Sequence, residues 1–176
     1  MLTQDIAAPA VTMAEAQAFV RIETGEEEAI VAGLVRSASA LCEAFIGQVV
    51  IAREVSETVS ASSAWQRLSA GPVRAIGAVA AIGEDGSATV LAMADYAVDI
   101  DSDGGGWVRL TGAAARGRLR VTASVGLASD RNEVPEPLRQ GIVRLVGHLF
   151  AQRDGSGGEP PAAVTALWRP YRRIRL

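Results

Sequence analysis

The sequence predicts an α+β fold: a small core of about three main helices, an antiparallel β insertion between the second and third, and a flexible C-terminal tail. Three observations predict it. Apolar residues recur at helical spacing before residue 47 and again after residue 135. The stretch between them is rich in Val, Ile, Thr and Gly, with turn signals at short intervals. A Gly/Pro-rich run, Asp154 to Pro161, then separates a final arginine-bearing segment from the third helix. The resulting boundaries are 1–47 for the N-terminal helices, 48–126 for the β insertion, 127–153 for the last core helix, and 154–176 for linker and tail.

Each element has a local cause. Thr12 followed by Glu15 reads as a capping box, in which the two residues satisfy each other's backbone donors. It opens a short helix ending near Ile22. Thr24 and Glu27 repeat the spacing, and Glu26, Glu27 and Glu28 place anions where a helix dipole favours them. A long helix from about 25 to 46 follows, with Ile30, Leu34, Leu41 and Phe45 as its apolar stripe, Ala38 and Cys42 between them, and Gly47 as C-cap. Strands are expected at Val49–Val59, Trp65–Leu68, Val73–Ile82, Thr89–Leu91, Tyr96–Ile100, Trp107–Leu110 and Arg118–Val125. In the last of these, Arg118, Arg120 and Thr122 alternate with Leu119, Val121 and Ala123, one wet face against one dry face. Asp85-Gly86 and Asp103-Gly104 supply turns. Pro135 and Pro137 open the third helix, whose stripe is Leu138, Ile142, Leu145, Val146 and Leu149.

Composition excludes several function classes. The net charge of −3 gives no bulk attraction to nucleic acid. All 17 cations are arginine, so every one can make planar, bidentate contacts. The absence of lysine also rules out a Walker motif. Cys42 stands alone, so neither an intrachain disulfide nor a cysteine metal cluster can form. No uninterrupted apolar run reaches the length of a membrane span, and residues 1–10 lack the basic and apolar regions of a signal peptide. The expectation is a chain with no membrane partner.

Reactive constellations are missing as well. His148 is the single histidine, and Arg144 and Gln152 stand four residues to either side, where a second ligand or a carboxylate would be needed. There is no Gly-x-Ser-x-Gly elbow. Asp99, Asp101 and Asp103 alternate as in a calcium loop, but Leu110 occupies the place of its closing glutamate. No catalytic residue, metal ligand or cofactor is assigned, and the reading is that the protein is not an enzyme.

The C-terminal segment is the unusual feature. Four arginines fall within the last eight residues with no acid among them. Trp168, Arg169, Tyr171, Arg172, Arg173, Ile174, Arg175 and Leu176 form a candidate docking tail. Trp, Tyr and Arg are the residues most often found as binding anchors. A protein surface and a phosphate backbone both fit this chemistry. A nucleic-acid-binding module using the Arg-rich tail is therefore the alternative to a protein-docking arm. An arm held by a linker is also expected to be removable, so that truncation of 165–176 leaves the fold intact.

The ordered set of features resembles a known family. The set runs from the opening helix at Thr12 and the acidic start at Glu26–Glu28 to the long Ala-rich helix ending Phe45-Ile46-Gly47. Gly71-Pro72-Val73, Asp85-Gly86, Tyr96 to Asp99, Val121 to Gly126 and Val134 to Leu138 follow. The chain closes on Pro161 to Val164 and Leu167 to Leu176, with its Pro170-Tyr171-Arg172-Arg173. It is similar to the phage head–tail connector (adaptor) proteins of the gp6-like and gp8-like kind, which include the adaptor of bacterial gene transfer agents. Trp168 departs from the pattern, since a smaller apolar residue is more usual there. The resemblance implies a structural subunit made in the bacterial cytoplasm and carried in the neck of the virion or phage-like particle. It implies a homo-oligomeric ring, twelvefold in the particle, between the portal protein and a stopper or tail-terminator protein, with DNA only passing through the channel. It implies that the tail docks on the portal.

Overall fold

A computed structural model of the chain describes residues 9–22, 25, 27–112, 117–152 and 160–173. These residues form two compact units. One is the β insertion, Ala52–Leu127; the other gathers the helical segments before and after it.

The helical unit contains α1 (Met13–Val20), α2 (Glu28–Ile46), α3 (Glu136–Ala151) and α4 (Ala162–Trp168). The capping box at Thr12 forms as the sequence predicts. Glu15 N–H donates to Thr12 Oγ1 at 3.1 Å and Thr12 N–H donates to the Glu15 carboxylate at 2.7 Å. Glu15 also pairs with Arg139, which ties α1 to α3. The expected second capping box takes another form. Thr24 lies outside the described residues, and α2 starts at Glu28 with Glu27 as an N-cap that makes no side-chain cap bond. At the other end Gly47 takes φ 68°, the left-handed C-cap for which glycine carries no Cβ penalty.

The apolar stripe of α2 is a correction. The buried face is Val31, Val35, Ala38, Cys42 and Ile46, with Ser39 beside them donating Oγ–H to Val35 O at 2.8 Å. Of the expected stripe, Ile30 is 47% and Leu41 42% exposed. Leu34 and Phe45 are half-buried. The helix carries two adjacent apolar faces at the same period. The face with Ala38, Ser39 and Cys42 turns inward because small side chains let the neighbouring helix approach closely. By length and composition alone α2 could cross a membrane, with a mean hydropathy of 1.6, yet its inner face packs against α1, α3 and α4. The α3 stripe is as expected: Leu138, Ile142, Leu145 and Val146 are buried, and Leu149 is half-buried.

The β unit holds two antiparallel sheets. The larger has strand order β1-β7-β3-β4, with β1 at Arg53–Ser60, β3 at Val73–Ile82, β4 at Ala88–Val90 and β7 at Arg118–Val125. The smaller has order β2-β6-β5, with β2 at Gln66–Arg67, β5 at Tyr96–Ile100 and β6 at Gly106–Leu110. β7 is central, and its predicted alternation holds: Leu119, Val121, Ala123 and Val125 are buried, while Arg118 and Arg120 are exposed. Gly106 lets the small sheet lie close on β3, since a Cβ there would sit 2.8 Å from Val73 Cγ2. The expected strand Val49–Val59 is divided. Val49, Val50 and Ile51 are buried in the helical unit, where Ala128 N–H donates to Val50 O at 3.0 Å, and β1 begins only at Arg53. The apolar run is continuous in sequence but serves two cores.

Candidate docking surface

The C-terminal arm is built onto the helical unit. Pro161 is the N-cap of α4, which suits a residue with no N–H to leave unsatisfied and φ fixed near the required value. Val164 and Trp168 lie one turn apart on α4 and are buried. The indole of Trp168, 0% exposed, is enclosed by the unit. Its ring stands 5.9 Å from the Phe45 ring at 53°, and Nε1–H donates to Leu138 O at 3.3 Å. Gly141 makes room for it, because a Cβ at that position would fall on the indole.

Beyond Trp168 the chain makes a 3-10 turn, Arg169–Tyr171. It then returns to the C-terminal end of α2, where helix geometry leaves carbonyls without partners. Arg173 N–H donates to Ile46 O at 2.8 Å, and Gln48 Nε2–H donates to Tyr171 O at 2.6 Å. The Arg172 guanidinium lies over the Phe45 ring, 5.8 Å from its centre.

The predicted tail residues therefore separate into three groups. Trp168 is a core residue that anchors the arm to its own unit. Arg169 and Arg172 are exposed, and Tyr171 and Arg173 are half-exposed. Ile174, Arg175, Leu176 and the linker residues 154–159 lie outside the described residues. The expectation that residues 165–176 can be removed without cost to the fold is overturned, since that cut takes away a fully buried tryptophan. The sequence signal for the anchor was Trp168 itself, read as a contact residue because its place in the core depends on Gly141, 27 residues earlier in the chain.

The remaining candidates are structural. Cys42 is buried, and desolvation pushes its thiol up to about 12, so it is an inert core group. Asp101 organises the turn before β6. Its carboxylate accepts from Asp103 N at 3.0 Å, Gly105 N at 2.6 Å and Trp107 Nε1 at 3.0 Å. The Trp107 bond above all, with the backbone donors, holds this carboxyl below the usual aspartate value. Among the described residues no group of His, Cys, Asp and Glu could hold a metal ion.

Sequence reasoning passed over one further surface. On the outer face of the small sheet, Arg67 lies over Trp107 at 5.5 Å and Arg109 over Trp65 at 4.8 Å. The sequence shows Trp65-x-Arg67 and Trp107-x-Arg109 as two separate alternations, and only the pairing of β2 with β6 sets them against each other.

No protein-family model matches the chain. No curated protein matches it either. Solved structures do. The chain is similar to one in the neck of an empty gene transfer agent (GTA) particle computed with C6 symmetry, at TM-score 0.77 and 23% identity. It is also similar to a chain in the virion of a native GTA particle, at TM-score 0.76 and 23% identity. A third match is in the neck of a native GTA particle computed with C12 symmetry, at TM-score 0.74 and 22% identity. Each alignment covers 100% of this chain and 97% of the other. The protein thus has, over its whole length, the fold of a component of the GTA particle.

Proposed function

We propose that the chain is a structural subunit of the neck of a tailed phage or a phage-like gene transfer particle. In this reading it is a head–tail connector whose copies close a ring between the portal and the stopper or tail, leaving a passage for DNA. The observation that carries the reading is the whole-chain likeness to GTA particle components, at TM-scores of 0.74 to 0.77. Surface character supports it. A ring subunit must bury area against two neighbours through a head-to-tail interface. Here Phe19, Ile30 and Leu41 leave apolar area uncovered on the helical unit. The net charge of −3 suits a wall that DNA passes without being gripped.

The arm is the proposed portal contact. Arg169, Tyr171, Arg172, Arg173 and Arg175 would meet the portal, with Trp168 fixing the root of the arm. The test uses the full chain with Arg169 and Arg172 both changed to Ala, which leaves Trp168 and α4 in place. Co-purification with the portal of the same particle should be lost, while the thermal melt stays within a few degrees of the parent. Unchanged portal binding by this variant, or absence of the protein from the neck of the purified particle, would overturn the assignment.

A further inference from the structure

We infer that the outer face of α2 and the exposed corner around β4 are the two halves of one contact, through which each copy of the chain seats on the next. The inference rests on the neck reading and names the surfaces its ring would use.

The helical half is a seam. Ile30, Leu34, Ser37, Leu41 and Ala44 follow one another at alternating steps of four and three residues, the spacing that lines side chains up along a helix for a second surface. Leu34 is half-buried and the other four are exposed. Gly33 and Ala40 flank the seam with little or no side chain, so a partner can come close to the helix. Only 33% of the most apolar stretch of α2 is buried, so much of its apolar surface still lacks cover.

The β half is a knob. β4 is an edge strand whose three residues are all exposed. Val90 is 70% and Met93 85% exposed. Backbone bonds fix the corner that presents them. Leu91 N–H donates to Val79 O at 2.9 Å, Asp95 N–H to Ala92 O at 2.9 Å, and Thr111 N–H to Asp95 O at 3.0 Å. Two large apolar side chains are thus held out in a preset position, which lowers the ordering cost of binding. The other exposed apolar groups of the β unit have neighbours of their own. Trp65 lies under Arg109, and Val98 and Ile100 share the sheet face of fully buried Val108.

Cyclic symmetry decides how the halves pair. Two of the similar structures lie in necks computed with C6 and C12 symmetry. A ring of more than two copies needs two different surfaces on each copy, because a patch that meets itself closes at a dimer. Seam against seam would stop there. Corner against corner would set Glu84, Asp85 and Asp95 against their own copies, with no cation between residues 75 and 108 to offset them. Knob on seam avoids both, and brings these acids toward Arg36, an exposed cation of α2 folded beside Gly33. A stable contact covers about 800 Å² on each partner, so these side chains would form its apolar centre.

The test is sedimentation velocity of the full chain at rising concentration up to millimolar, with Leu41→Asp and Met93→Asp made separately. Both positions are exposed, so the thermal melt should stay within a few degrees of the parent; if Leu41→Asp lowers it further, Ile30→Asp takes its place. The parent should associate as concentration rises, and each variant alone should associate at least about tenfold more weakly. The two variants mixed should form a one-to-one dimer and nothing larger, because one keeps an intact corner and the other an intact seam. A parent that stays monomeric, a single variant that associates like the parent, or a mixture that gains nothing over its components overturns the inference. The neck reading fails separately, by absence of the protein from the purified particle, and that outcome does not alter the mixing result.

Discussion

Two glycine-to-alanine changes in the helical unit should move stability in opposite directions. Both positions lie inside helices, Gly33 in α2 and Gly141 in α3. Helix propensity alone favours alanine by about 1 kcal/mol at each. At Gly33 nothing opposes the gain, since the nearest atom to a built Cβ is Arg36 Nη2 at 4.0 Å. At Gly141 the added carbon would lie 2.7 Å from Trp168 Cε2 and 2.8 Å from Cδ1. These are atoms of a rigid, fully enclosed ring, so α4 has to shift or the indole has to leave its site. Overpacking of this kind costs about 1–3 kcal/mol, and a lost bond from the indole to Leu138 O adds about 1 kcal/mol. The overlap therefore outweighs propensity, and Gly141→Ala should be destabilised by about 1–3 kcal/mol. Gly33→Ala should gain up to about 1 kcal/mol. Urea unfolding followed by circular dichroism at 222 nm reads the helical unit directly. Combining Gly141→Ala with Trp168→Ala isolates the cause, because without the ring the alanine should become neutral or favourable. A stabilised Gly141→Ala single variant would refute the account of how the arm is anchored.

Other expectations rest on single groups. The Glu15 carboxyl is held below its ordinary value, first by the Thr12 backbone hydrogen bond and also by Arg139. Its contribution is thus present above the unfolded value near 4.5 and is lost as pH falls through the lower folded value. Glu15→Gln should cost about 0.5–1 kcal/mol at neutral pH and flatten the acid limb of a pH-stability curve, and an unchanged curve would count against the pair. With its thiol pushed up to about 12 and buried, Cys42 should react with a thiol reagent at pH 8 at least about 100-fold more slowly than in the unfolded chain. A native rate within tenfold of the unfolded one would show that the α2–α3 core opens readily.

What the sequence determined by itself was whatever depends on neighbours along the chain. The Thr12/Glu15 box, the Gly47 cap, the strands Val73–Ile82, Tyr96–Ile100 and Arg118–Val125, and the wet and dry faces of β7 all follow from residues within a few positions of one another. Cys42 was expected as a buried, inert thiol from its place on the apolar side of a helix, and the packing of that face of α2 is what buries it. Tertiary structure decided everything that required a choice between equivalent local answers. Both faces of α2 satisfy helical periodicity, and only close packing against α3 selects Val31 to Ile46 over the stripe containing Ile30 and Leu41. The run Val49–Val59 is uniformly strand-like, and only the approach of Ala128 to Val50 assigns its start to the helical unit. Trp168 looks like a binding anchor beside its arginines, and becomes a core residue because Gly141 leaves a hole for its ring. The stacking of Arg67 on Trp107 and of Arg109 on Trp65 exists only through strand pairing between β2 and β6. In each case the deciding contact spans tens of residues, a separation at which sequence pattern carries no information about proximity.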